Sequence, residues 1–145
     1  MQHNVFAAII LVFLFLFLTV TARAQSTLGL TPVSLRALYQ STPTLGAWKQ
    51  GTTGSGQPYV QFADRHNGLV IVSYFTAATV SAEEQVTTTT VSGPVEPFLG
   101  IFINNCDSLY PSESDNAWTD PVNHLRIVVE AKANVATMRF TALPD

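Results

Sequence analysis

Few side chains in this 145-residue sequence can do acid–base or nucleophilic chemistry: it holds three histidines and one cysteine. Asp64 and His66 stand two apart, so a strand presents both on one face, about 7 Å apart at Cα, as a carboxylate–imidazole pair would need. Both lie at the end of an apolar run just before a turn signal, where a strand passes into solvent, and a turn role is the stronger expectation. His124, beside Asn123, falls on the polar side of a later hairpin. Cys106 closes the apolar run Phe98 to Ile103 with no His or basic residue nearby in sequence. It reads as a buried small hydrophobe, with pairing between chains as the alternative and a catalytic thiol the weakest reading. No zinc-protease, nucleophile-elbow, Walker or dinucleotide-binding pattern occurs, and adjacent Glu83 and Glu84 would point to opposite sides of a strand. The expectation is a protein that is not an enzyme.

Binding has one stronger candidate. The 18 residues from Asn104 to Pro121 combine Asn104, Asn105, Asp107, Glu113, Asp115, Asn116 and Asp120 with Tyr110 and Trp118. Sugar rings offer an apolar face that stacks on aromatics and hydroxyls that suit carboxylates and amides. Tyr110 and Trp118 are therefore expected as platforms, and Asp107, Asp115, Asn116 and Asp120 as hydrogen-bond partners, for a glycan or similar polar ligand. The same oxygen density admits a structural Ca²⁺, although the EF-hand spacing is absent. The plainer alternative is a solvated connection, since Asp, Asn, Ser and Pro are what loops are made of. A structureless connection of this length is unusual and more often functional than a short one.

These residues need a scaffold, and the turn chemistry outlines one. Thr31-Pro32 before Leu35, Leu38 and Tyr39 places an N-cap and an N1 proline ahead of a short helix that ends before Pro43. Asn67-Gly68 joins Tyr59–His66 to Leu69–Thr76 as a hairpin; a two-residue turn there sets Val60 opposite Phe75 and Phe62 opposite Ser73. A second hairpin with Ala133-Asn134 as its turn pairs Leu125 with Ala142, Ile127 with Phe140 and Val129 with Met138, an all-apolar face. Its reverse face, with Arg126, Glu130, Lys132 and Arg139, is polar. Between the hairpins, Glu84 to Ser92 with its Thr87–Thr90 run reads as an ordinary exposed or edge strand, and Phe98 to Ile103 as a buried strand. The expected fold is mainly β: an antiparallel β-sandwich or small barrel of about 7–8 strands with one short N-terminal helix. No sequence repeat is visible.

Gly46-Ala47-Trp48, following the short helix, is similar to the opening of lipocalin-like and avidin-like barrels. That resemblance covers three residues and implies a barrel enclosing a small ligand.

Composition narrows the class further. From Val5 to Leu18 the sequence is unbroken apolar, 14 residues, about 21 Å as a helix against a hydrocarbon core of about 30 Å. The run gives way to Thr19-Val20-Thr21-Ala22-Arg23-Ala24, so residues 1–24 read as a signal peptide cleaved after Ala24, and 25–145 as one secreted domain. Most of the 47% apolar content above an ordinary level resides in that leader. Net charge is −3 and no Lys/Arg run exists, which argues against nucleic acid and anionic membrane surfaces as partners. One cysteine excludes an intrachain disulfide. The overall expectation is an extracellular, disulfide-free binding module for a glycan or protein partner, needing no cofactor; a self-associating subunit of an extracellular assembly is the alternative.

Overall fold

A computed structural model of the chain describes residues 27–76 and 85–144; the leader lies outside these residues, as do Glu83 and Glu84. Helix α1 (Pro32–Ser41) precedes strands β1 (Leu45–Thr52), β2 (Pro58–Asp64), β3 (Val70–Phe75) and β4 (Val86–Pro94). Helix α2 (Val95–Leu109) then precedes β5 (Ser112–Ser114), β6 (Ala117–Asp120), β7 (Leu125–Lys132) and β8 (Val135–Ala142). The chain is mainly β and antiparallel. Its eight strands form one sheet in the order β1-β2-β3-β4-β8-β7-β6-β5. The sheet is not closed into a barrel, and a helical layer on one face gives a sandwich-like arrangement.

The order amounts to two units of the same plan, each a helix followed by a four-stranded meander, fused where β4 runs antiparallel to β8. Val91 pairs with Met138 and Thr89 with Phe140 across that seam. The threonine strand is therefore central, not an edge: Thr89 is buried and its hydroxyl is hydrogen-bonded to that of Thr27 at 2.6 Å.

Alternation along each strand sorts side chains onto two faces. The covered face carries Val60 and Phe62, Ile71 and Phe75, Val91, Met138 and Phe140, and Ile127 and Val129, all buried in one core. Helix α1 contributes Leu35 and Tyr39 to it. Thr31 caps this helix as expected, its hydroxyl accepting from the Ser34 N–H at 3.3 Å.

Helix α2 replaces the strand expected from Phe98 to Ile103. A short apolar run bounded by turn residues has no period that separates a strand from a buried helix; here Phe102 and Cys106, one helical turn apart, are buried, and Phe98 packs on Phe102 with ring centroids 5.8 Å apart. Gly93 makes the approach possible, since a Cβ there would sit 2.6 Å from Leu69 Cδ2 and 2.8 Å from Phe98 Cδ2. The helix crosses β4, β7 and β8.

The second hairpin forms with the expected register, Leu125 opposite Ala142 and Ile127 opposite Phe140. Ala133 and Asn134 both have positive φ, 49° and 64°, as a type I′ turn requires. In the first hairpin the register differs: Val60 faces Ser73 and Phe62 faces Ile71. The Asp64 carboxylate accepts the His66 N–H at 2.9 Å and the Asn67 side chain accepts the Leu69 N–H at 2.9 Å, which widens the connection beyond two residues. The shift is two positions on the partner strand, an even number, so every side chain keeps its expected face.

Candidate functional site

The segment expected to be an 18-residue loop is mostly regular structure. Asn104 to Leu109 are the last turns of α2, and β5 and β6 form a hairpin whose turn is Asp115-Asn116. Asn104, Asn105 and Ser108 are weak helix formers, but the Asn105 side-chain amide donates to the Ile101 carbonyl oxygen at 2.8 Å and the Ser108 hydroxyl to that of Asn104 at 2.8 Å. Such bonds let polar residues follow a helix that tertiary packing imposes. At the hairpin tip Asn116 takes φ 59°, a conformation that asparagine tolerates better than most residues.

Between the end of α2 and this hairpin lies an open pocket of about 350 Å³, lined by Ile103, Asp107, Ser112, Ser114, Asp115, Asn116 and Trp118. Four residues singled out from the sequence thus come together: Asp107, Asp115, Asn116 and Trp118. Ile103, Ser112 and Ser114 join them. None of these three stands out in the sequence; Ile103 falls at the end of the run expected as a strand, and only the helix brings it one turn before Asp107 on the same side.

Trp118 does not offer a stacking face. It is 2% exposed and belongs to the core, and its indole N–H donates to Asp107 Oδ1 at 3.0 Å. That bond satisfies a buried donor and fixes the Asp107 carboxylate at the pocket wall. Asp115 and Asn116 are exposed, and no side-chain hydrogen bond engages them among the described residues.

Tyr110 and Asp120 fall outside the pocket. Tyr110 follows α2 and packs, half-buried, against the core. Asp120 is 4% exposed at the far end of β6. Its Oδ1 accepts the Val122 and Asn123 N–H groups at 3.0 and 3.1 Å, and its Oδ2 the Asn123 side-chain amide at 2.7 Å. These bonds organise the turn into β7.

Beside the pocket, on the opposite face of the hairpin, Glu113 accepts from the Thr119 hydroxyl and from Arg126 Nε at 3.1 Å. The Thr119 bond, then Arg126, holds its carboxyl below the usual carboxylate range. Among the described residues no group of three or more His, Cys, Asp or Glu is placed to hold a metal ion.

The remaining chemical candidates lie outside the pocket. Asp64 is buried and engaged in the turn, while His66 is exposed. His124 is exposed in the β6–β7 turn with φ 53°, its carbonyl accepting the Leu143 N–H at 2.8 Å. Cys106 is 0% exposed, its thiol 3.9 Å from Met138 Sδ, and burial with the neighbouring Asp107 charge pushes its pKa up to about 12. That burial fits the small-hydrophobe reading and weighs against pairing between chains, since exchange needs an accessible thiolate.

Trp48 lies at a bulge in edge strand β1, where Ala47 has φ 56°. It stacks on Phe62 at 6.2 Å and 7°, touches Tyr39 at 4.8 Å and carries the Arg36 guanidinium 4.6 Å above its ring. It is a packed edge aromatic on an open sheet, which overturns the lipocalin-like reading. Among the described residues no helix is long and apolar enough to cross a membrane. Comparison with protein-family models, with curated proteins and with solved structures finds no match in any of the three.

Proposed function

We propose that this protein is a secreted, non-enzymatic binding module for a polar, hydroxyl-rich extracellular ligand, seated between the end of α2 and the β5–β6 hairpin. The observation that supports the reading is the pocket of about 350 Å³ in which Asp107, Asp115, Asn116 and two serines converge. Its wall is rich in acceptors, which suits ligand hydroxyls as donors. With Trp118 in the core, affinity here rests on hydrogen bonds rather than ring stacking. Two carboxylates fall short of the six to eight oxygens that Ca²⁺ takes, and no calcium role is proposed.

The test is titration of a neutral glycan panel against the wild type, Asp115→Ala and Asn116→Gly, the second chosen because glycine keeps the positive φ. Each variant is expected to weaken binding about three- to tenfold, the worth of one hydrogen bond, with an unchanged melting temperature. Equal affinity of all three proteins overturns the reading.

Assembly through strand addition is the less supported alternative. Edge strand β1 is interrupted by its bulge and carries Lys49, and edge strand β5 has three residues, both devices that blunt an edge.

A further inference from the structure

Among the described residues no helix or strand covers the sheet face opposite the helices, and its two halves differ. On β2, β3 and β4 the outward positions hold no charged residue, and Tyr59 and Tyr74 pair there with ring centroids 6.1 Å apart. Tyr59 reaches over β1 at Gly51, where a Cβ would lie 2.6 Å from its hydroxyl oxygen. Next to the tyrosines, Gln57, Tyr74, Thr88 and Arg139 line a second depression of about 350 Å³. Gln57 is tethered by its side-chain amide donating to the Phe75 carbonyl oxygen at 3.2 Å, and Arg139 by its bond to Glu130 at 3.1 Å. Neither phenol hydroxyl is hydrogen-bonded among the described residues.

We infer that this depression is a saccharide subsite in which a neutral sugar unit lies against the Tyr59–Tyr74 pair, with Gln57, Thr88 and Arg139 bonding its hydroxyls. It rests on the reading of the chain as a binder of hydroxyl-rich ligands, and supplies the aromatic platform that the α2/β5–β6 pocket lacks. The outward positions of β2–β4 carry no charge, and the one charged side chain lining the depression, Arg139, is already bonded to Glu130, which favours a neutral ligand. A second copy of the chain is a poorer occupant. Three strands about 4.8 Å apart and six residues long cover about 300 Å², well short of the roughly 800 Å² per partner of a stable interface. Reaching that area would take Arg126, Glu130 and Lys132 out of water at a desolvation cost.

The full secreted chain is titrated with neutral linear hexasaccharides (β-1,4-glucan, β-1,4-linked N-acetylglucosamine and α-1,4-glucan), alongside Tyr74→Ala, Gly51→Ala and Asn116→Gly. Tyr74→Ala is expected to weaken binding about tenfold. Gly51→Ala, which displaces the Tyr59 ring, should weaken it less, with the melting temperature kept. Loss in Asn116→Gly alone overturns the subsite and leaves the α2/β5–β6 reading standing; loss in Tyr74→Ala alone does the reverse. No binding by the wild type overturns both. Should Tyr74→Ala fail to fold, amide shifts of the wild-type protein decide: changes at Tyr59, Tyr74 and Thr88 support the subsite, and changes confined to residues 107–118 overturn it. A concentration-dependent dimer that Gly51→Ala or Tyr74→Ala dissolves also overturns it.

Discussion

The two halves of the sheet share a plan and differ in how they use it. In the first, α1 reaches the core through Leu35 and Tyr39, while Trp48 stays half-buried at the β1 edge beneath Arg36. In the second, α2 lies across β4, β7 and β8 and buries Phe102 and Cys106, with Trp118 sealed in the core. The outward faces invert the contrast: β2–β4 are uncharged and aromatic, whereas β7 and β8 carry Arg126, Glu130, Lys132 and Arg139. One tryptophan per half therefore does different work. Trp118 anchors a helix–hairpin junction, and Trp48 covers a strand edge. A repeated topology constrains which strands are neighbours; it does not dictate which aromatic is load-carrying or which face stays open.

Substitutions can break this comparison, starting with the largest effect. Trp118→Ala leaves a large cavity and should cost about 3–5 kcal/mol, whereas Trp48→Ala, with part of the ring already in water, should cost about 1–2 kcal/mol. Urea unfolding of both variants checks the order, and equal losses would erase the asymmetry between the halves. Gly93→Ala acts on the seam that joins them. Its Cβ meets Leu69 and Phe98, so a loss of about 1–3 kcal/mol from overpacking is expected, and wild-type stability would mean that α2 sits further from β4. Ala133→Asn probes the second half alone by putting a residue suited to positive φ into the type I′ turn. A gain of about 0.5–1 kcal/mol is expected, measured as a raised melting temperature.

The smallest effect concerns charge. Glu113 is exposed and its carboxyl is held below 4.5 by Thr119 and Arg126. Its contribution is present above that value and fades as pH falls through the lower folded-state value. Its carboxyl carbon should titrate in the native protein with a midpoint below 4.5, and Arg126→Gln should move that midpoint up.

Local rules were reliable where one chemistry decided the outcome. Thr31-Pro32 capped a helix, and Ala133-Asn134 closed a hairpin in the expected register because an all-apolar face penalises any slip by one residue. Around Asn67-Gly68 two turn chemistries competed, and the side-chain acceptors of Asp64 and Asn67 prevailed over the two-residue turn. At the candidate site, Asp107, Asp115 and Asn116 were legible as polar groups, but Trp118 read as exposed and is buried. Nothing in its neighbours along the chain reveals that α2 folds back over it.

The sequence by itself determined the mainly β antiparallel class, the alternation that sorts side chains onto two faces and the absence of an intrachain disulfide. All of these depend on residues close together in the chain or on simple counts. Only the tertiary structure decided that Phe98 to Ile103 is helical, that the threonine strand is the centre of the sheet and that the sheet stays open. Those outcomes depend on contacts between distant segments, β4 with β8 and α2 with both, whose burial energy overrides weak local preference.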